Sequence, residues 1–109
     1  MFYTFGFIME KDFELIELFE IYQELLTDRQ KNLFRSHYLF DLSLQEIAEE
    51  ENTTRQSVFD AVKKVRLKLV DFENKLKIKE NNTKLTKLAT DIGKENTNIS
   101  QAILEIIGK

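Results

Sequence analysis

The chain has 109 residues and a formal net charge of −3, with 42% hydrophobic and 32% charged residues. This balance suits one small folded domain with an extra element, and it excludes a largely disordered chain. Cysteine is absent, which excludes a disulfide framework, a Cys-ligated zinc site and a cysteine nucleophile. With no proline and three glycines, the composition favours long helices over strands joined by tight turns.

The first eight residues, MFYTFGFI, are apolar, but they have neither a basic n-region nor a small-residue cleavage site. They are therefore not expected to act as a signal peptide. No apolar run approaches the roughly 20 residues of a membrane helix. We therefore expect a cytoplasmic protein without membrane insertion. Residues 1–9 are interpreted as a short N-terminal extension, and Met9 is an alternative start of translation.

An apolar stripe at steps of three and four predicts a first helix from about Lys11 to Leu25. Thr27 and Gln30 then form a capping-box pattern, which predicts a second helix from about Asp28 to Tyr38. The aromatic residues of this half are expected in the core, with an interface as the alternative for some of them. They are Phe13, Phe19, Tyr22, Phe34, Tyr38 and Phe40.

A second capping box, Ser43 with Glu46, predicts a short third helix from about Leu44 to Glu51. Asn52 is expected to end it in the left-handed conformation, and Thr54 to cap a fourth helix that runs to about Leu76. The fourth helix has a heptad seam, which favours packing along another helix and predicts a homodimer. The seam consists of Val58, Val62, Val65, Leu69, Phe72 and Leu76.

Two further apolar stripes follow Asn81, with a break predicted between Gly93 and Asn98. They predict two short helices in a C-terminal extension. We therefore expect an all-α protein in which residues 10–78 form a helix-turn-helix domain and residues 79–109 form a helical extension. The core of that domain has three or four helices, and its fourth helix is long.

Charge is unevenly distributed along the chain. Residues 10–51 carry twelve acids and four bases, whereas residues 55–79 carry eight bases and three acids. The basic stretch coincides with the second helix of the helix-turn-helix, where base-reading side chains lie in such motifs. Arginine can bind guanine and glutamine adenine, while lysines and further arginines suit phosphates. The candidate nucleic-acid-binding residues are Arg55, Gln56, Phe59, Lys63, Lys64 and Arg66.

Three segments carry a resemblance to the YlxM family of small bacterial proteins. They are LLTDRQ at 25–30, DLSLQEIAE at 41–49 and RQSVFD at 55–60. The resemblance covers about residues 10–78, and it implies an all-helical fold similar to region four of sigma factors. The sequence departs from the family at Glu51-Asn52-Thr53, where the family usually has an aromatic-Gly-Val turn. It also has Ser57-Val58-Phe59-Asp60-Ala61 in place of the usual Ala-Val-Tyr-Asp-Asn.

The resemblance implies a noncatalytic regulator or adaptor linked to the signal recognition particle pathway, with particle RNA or particle proteins as partners. Two alternatives stay open, namely a DNA-binding transcriptional regulator and a pure protein-interaction module that docks a basic partner through the acidic first helix. An enzyme is not expected. The chain has no phosphate-binding glycine loop, His37 is its only histidine, and Glu49-Glu50-Glu51 point in different directions on a helix. No cofactor or metal is predicted.

Overall fold

A computed structural model describes the backbone of residues 2–108 and the side chains of residues 12–108. Within the described backbone every regular element is helical, which confirms the all-α prediction. The α-helices are α1 (Phe2–Tyr22), α2 (Asp28–Phe34), α3 (Leu44–Glu50), α4 (Arg55–Leu76), α5 (Ile78–Gly93) and α6 (Thr97–Ile106). A 3-10 turn (Gln23–Leu25) follows α1, and a π-helical turn (Arg35–Leu39) follows α2.

The chain divides into two compact units, Met1–Lys75 and Leu76–Lys109. The first contains α1, α2, α3 and nearly all of α4, and the second contains α5 and α6. Lys77, which lies between α4 and α5, has a φ of 54° and so interrupts the helical path. The domain limits predicted from the sequence, at residues 9/10 and 78/79, stay predictions.

Both capping boxes form as predicted. The Thr27 hydroxyl accepts a hydrogen bond from the Gln30 amide at 3.2 Å, and the Gln30 side chain accepts one from the Thr27 amide at 3.0 Å. At the start of α3, the Ser43 hydroxyl accepts from the Glu46 amide at 3.1 Å and Glu46 returns the bond at 3.2 Å. These reciprocal bonds satisfy amides that the first helical turn leaves without partners.

Two helix limits differ from those expected. Helix α1 begins at Phe2 rather than near Lys11, and the segment before Lys11 contains no proline that would end it. The side chains of residues 1–11 lie outside the described ones. The second helix ends in the π-helical turn, where the Phe40 amide donates to the Arg35 carbonyl at 2.9 Å. Asp41 then adopts a φ of 57° and ends the helical path.

The core of the first unit has two parts, and α4 contributes to both. Val58 and Val62 of α4 belong to a cluster with α2 and α3, while Val65 and Leu69 belong to a cluster with α1 and α2. Tyr38 packs against both clusters. The heptad seam is therefore largely buried within the protomer. Other buried members are Leu15, Leu18, Phe19, Tyr22, Leu26, Leu33, Phe34, Ile47 and Ala48.

Stacked aromatic rings join α1 to α2. The Phe19 and Phe34 ring centroids are 4.3 Å apart and nearly parallel, and those of Phe34 and Tyr38 are 4.6 Å apart. The prediction that Phe13 and Phe40 also belong to the core is wrong, since each is 66% exposed. Phe13 projects from the side of α1 opposite its buried stripe, and Phe40 lies beyond the π-helical turn.

The second unit is a pair of helices joined by a short loop, as the break after Gly93 predicts. Buried Ser100 of α6 donates a hydrogen bond of 2.7 Å to the Ala89 carbonyl of α5. A Cβ atom at Gly93 would lie 3.1 Å from the Ser100 hydroxyl, so glycine allows α6 to approach closely. Asn96 caps α6 by accepting a hydrogen bond of 3.0 Å from the Ile99 amide.

Replacement of Phe34 tests the aromatic stack. Because its ring is 1% exposed and contacts rings on both sides, Phe34→Ala should lower the free energy of unfolding by about 3–5 kcal/mol. The measurement is urea unfolding followed by tyrosine fluorescence, since all three tyrosines lie in the first unit. The matched control, Phe40→Ala, should change that free energy by less than about 0.5 kcal/mol. Equal losses in the two variants would contradict this description of the core.

Candidate nucleic-acid interface

The turn between α3 and α4 has the local geometry that the sequence predicts. Asn52 adopts the left-handed conformation with a φ of 54°. The Thr53 amide then donates a hydrogen bond of 2.9 Å to the Ala48 carbonyl. The Thr54 hydroxyl accepts a bond of 3.1 Å from the Ser57 amide and so caps α4. A short helix, a tight turn and a long capped helix together form a helix-turn-helix.

A polar contact holds this turn against α2. Arg29 of α2 forms an ion pair with Glu51 at the end of α3, with a nitrogen–oxygen distance of 3.2 Å. Both side chains are partly exposed, so the pair contributes at most about 1 kcal/mol. Glu51 is the first of the three residues at which this chain departs from the apolar turn of the YlxM pattern. The ion pair therefore supplies a link from the turn to α2 that does not require apolar side chains.

Buried contacts fix which side of α4 faces solvent. Leu33, Ile47 and Ala48 pack against Val58 and Val62, so the helix presents its opposite side outward. All six candidate binding residues are exposed. Gln56, Lys63 and Lys64 lie away from the buried seam, which accounts for their exposure. Arg55 lies on the line of the seam, seven residues before Val62, and is exposed in the first turn of α4.

The six candidates fall into two groups. Phe59, Lys63 and Arg66 line a groove between α1 and α4, whereas Arg55, Gln56 and Lys64 do not line it. We call the latter three the outer group. Arg55 lies on the same strip of α4 as Phe59, Lys63 and Arg66, but one turn before the groove.

Most of the positive charge on this part of α4 is available to a ligand. Residues 55–68 carry five bases and a single acid, Asp60. Asp60 accepts a hydrogen bond of 3.0 Å from the Gln56 amide group. Among the residues with described side chains, Arg55, Lys63 and Lys64 form no hydrogen bond or ion pair. Their charges can therefore attract an anionic ligand without first breaking a contact.

The remaining two bases of this stretch have neighbours inside the unit. The Lys68 ammonium lies 3.5 Å from the Gln30 side-chain oxygen and so points toward α2. Arg66 lies near Tyr38: burial raises the pKa of the Tyr38 hydroxyl, and the Arg66 charge partly opposes that rise. Lys68 and Arg66 are therefore less suited than the outer group to the centre of a nucleic-acid contact.

The groove has a volume of about 400 Å³ and includes residues that the sequence interpretation did not select. Leu67 and Val70, three residues apart, form a second apolar stripe on α4 outside the seam. The spacing of this stripe is visible in the sequence, but only the position of α1 shows that the stripe lines a groove. The lining residues are Glu14, Leu15 and Leu18 from α1 and Phe59, Lys63, Arg66, Leu67 and Val70 from α4.

The single histidine of the chain, His37, makes a structural contact. His37 Nδ1 lies 2.9 Å from the Leu42 carbonyl oxygen, and it must donate because a carbonyl only accepts. Among residues 12–108, no three histidine or acidic side chains are placed to hold a metal ion. None of the helices described has both the length and the apolar character needed to cross a membrane.

Replacement of Thr54 tests the cap that orients α4. Thr54→Ala removes the acceptor of the Ser57 amide, so the free energy of unfolding should fall by about 1 kcal/mol. Thr54→Ser retains a hydroxyl and should stay close to the wild-type value. Urea unfolding of the three proteins provides the comparison. Equal stability of the alanine and serine variants would show that the hydroxyl does not stabilise the helix start.

Residues 9–107 match the UPF0122 family, described as "Putative helix-turn-helix protein, YlxM / p13 like". A probable UPF0122 protein of Mycoplasma mycoides is 44% identical over 85 residues, which cover 78% of this chain and 75% of the relative. A UPF0122 protein of Bacillus velezensis is 38% identical over 108 residues, or 93% and 96% of the two chains. The match extends beyond the helix-turn-helix into the second unit. The chain therefore belongs to the UPF0122 family of YlxM-like helix-turn-helix proteins.

Proposed function

We propose that this protein is a noncatalytic regulator or adaptor that binds nucleic acid through the outer face of α4. The observation that carries this proposal is the exposed set of Arg55, Gln56, Lys63 and Lys64 in the N-terminal half of α4, whose three bases form no ion pair among the described side chains. These side chains are exposed on a helix whose inner face is fixed by Val58 and Val62. A rigid helix with exposed bases can place several charges against a phosphate backbone at once.

On duplex DNA, α4 would lie in a major groove, which is wide enough to admit a helix. Arg55, in the first turn of α4, would reach a guanine edge. Gln56 would reach an adenine after its bond to Asp60 is exchanged for one to the base. Lys63 and Lys64 would contact phosphates, with Arg66 and Phe59 at the border of the contact. The exposure of Arg55 and Gln56 at the start of α4 supports the DNA-binding alternative.

The resemblance to the YlxM family supports a finer proposal, a role in the signal recognition particle pathway in the cytoplasm. Particle RNA would be contacted differently from DNA, because the major groove of an A-form helix is too deep and narrow for side chains to read. On RNA, Lys63 and Lys64 would bind backbone phosphates, and Phe59 offers a ring on which an unpaired base can stack. Particle proteins are the other proposed partners in this pathway.

A function limited to protein binding has its own support in α1. The described turns of α1 carry Asp12, Glu14, Glu17 and Glu20 with no base between them, so a basic partner would find a complementary surface. Charge reversal at Glu14 and Glu17 would abolish such binding and leave nucleic-acid affinity intact or improved. The outer group of α4 favours nucleic acid as the first proposal.

Homodimerisation is also a proposal. Four seam residues on which it was predicted, Val58, Val62, Val65 and Leu69, are buried within the protomer. A second copy would have to use other apolar side chains, such as Leu76, which is 50% exposed. Sedimentation at high micromolar concentration decides between monomer and dimer.

Fluorescence anisotropy with labelled particle RNA and with a random DNA duplex tests the nucleic-acid proposal. Each titration is run at about 50 and 200 mM salt, since phosphate contacts produce a steep salt dependence. Lys64→Ala should weaken binding to every sequence alike and reduce the salt slope by about one. Tighter, salt-sensitive binding to the RNA would support the particle role, and preference for the duplex would support a transcriptional regulator.

If α4 reads DNA bases, Arg55→Ala should cost about 1–3 kcal/mol on a selected duplex and relax specificity at one base pair. An equal loss on every duplex would mean that Arg55 contacts phosphate alone. Lys75→Ala is the matched control, because Lys75 is an exposed base at the far end of α4 that pairs with Asp71. Absence of salt-sensitive binding to both nucleic acids would contradict the proposal.

A further inference from the structure

The groove between α1 and α4 differs chemically from the outer face of the same helix. Its floor is made of the buried side chains Leu15 and Leu18. Its α4 wall carries Phe59, Leu67 and Val70, which are 43%, 61% and 44% exposed. Three large apolar side chains on one exposed strip leave apolar surface in water, and such a strip is typical of a binding groove.

The two walls carry opposite charges. Lys63 and Arg66 lie on the α4 wall, and Glu14 lies on the α1 wall. Among the side chains of residues 12–108, no ion pair involves any of these three residues. The groove therefore has an apolar floor between a basic wall and an acidic wall, with charges that a bound partner can pair.

The dimensions suit one helix. The α4 wall extends from Phe59 to Val70, which corresponds to about 16 Å of helix axis and about three turns of a bound helix. An amphipathic helix placed there would bury an apolar ridge at steps of three and four against the floor. The described part of the chain has no strand that could offer a sheet edge to an extended peptide.

We infer that this groove is a docking site for an amphipathic helix of a partner protein, with an apolar ridge between an acidic flank and a basic flank. The acidic flank faces Lys63 and Arg66, and the basic flank faces Glu14. Nucleic acid could contact Phe59, Lys63 and Arg66 on the α4 wall, but it does not fit the whole groove, because its phosphates would meet Glu14 and its backbone has no apolar ridge to cover Leu67 and Val70. The inference goes beyond the proposed function, since it assigns a second ligand class to α4.

Two designed helical peptides test the charge pattern. Both have 18 residues, an N-terminal fluorescein and leucines at i, i+4, i+7 and i+11, spaced as one face of a helix. The bipolar peptide has glutamates on one flank and lysines on the other, and the basic peptide has lysines on both. The wild-type chain should bind the bipolar peptide about tenfold more tightly, because the basic peptide places like charges beside Lys63 and Arg66. The bipolar peptide can lie in the groove in either chain direction. Only one direction places its glutamates beside Lys63 and Arg66 and its lysines beside Glu14, and the peptide can adopt that direction freely.

Variants of the groove identify the surface. Leu67→Gln with Val70→Gln removes the exposed apolar wall without adding charge, and it should weaken binding of the bipolar peptide at least about tenfold. Lys63→Glu with Arg66→Glu makes both walls acidic and should reverse the preference in favour of the basic peptide. All four positions are exposed, and far-UV circular dichroism verifies that each variant stays helical.

Lys64→Ala is the matched control, because Lys64 lies next to Lys63 but does not line the groove. It should bind the bipolar peptide like the wild type while losing affinity for nucleic acid. The Leu67→Gln, Val70→Gln variant should lose affinity for the bipolar peptide and bind nucleic acid like the wild type. The failure of either proposal is therefore distinguishable from failure of the other.

Three results would overturn the inference. They are no saturable binding of the bipolar peptide, equal binding of the two peptides by the wild-type chain, and unchanged binding by the Leu67→Gln, Val70→Gln variant. Sedimentation provides a further check. A wild-type dimer that becomes monomeric in this variant would assign the groove to a second copy of the chain, and would also overturn the inference.

Discussion

The buried seam of α4 is the interaction on which the rest of the first unit depends. Val58 and Val62 close the cluster beneath the helix-turn-helix, and Val65 and Leu69 close the cluster with α1. One helix therefore holds the short α3 in place and at the same time braces α1. Because these four valine and leucine side chains are buried at steps of three and four, rotation of α4 would expose them at a cost of about 1.5 kcal/mol or more each.

This constraint divides the exposed surface of α4 into two chemically different parts. The outer group of Arg55, Gln56 and Lys64 is polar, exposed and outside the groove. The groove residues Leu67 and Val70 lie beside α1, so their surroundings combine apolar contact with charges of both signs. The two proposed contacts share Phe59, Lys63 and Arg66, while Leu67 and Val70 belong to the groove alone. Arg55, Gln56 and Lys64 belong to the proposed nucleic-acid contact alone.

Local signals in the sequence predicted much of this fold. The hydroxyl and carboxamide or carboxylate of each capping box act within four residues, and Asn52 ends α3 through its own backbone conformation, so short patterns identify them. The seam of α4 was also readable from its spacing. Its partner was not, because spacing reveals an apolar face without revealing what covers it. The spacing therefore suggests a second copy of the chain, whereas the structure buries most of the seam inside the protomer.

Features that depend on tertiary placement were beyond the sequence. The π-helical turn, Arg35–Leu39, leaves no mark in a helical pattern, and the ion pair between Arg29 and Glu51 joins residues far apart in the chain. Residue type alone places Phe13 and Phe40 in the core, whereas both side chains face solvent. The candidate binding residues are exposed, but which of them line the groove depends on the location of α1.

Mapping of backbone amide shifts tests the central claim, that nucleic acid binds the outer face of α4. A ¹⁵N-labelled sample of the whole chain is titrated with particle RNA and, separately, with a DNA duplex. We predict that the largest shifts lie at residues 53–64, and that residues lining the acidic wall of the groove, such as Glu14, change little. Shifts concentrated in α1 or in the α5–α6 unit, with α4 unaffected, would contradict the claim.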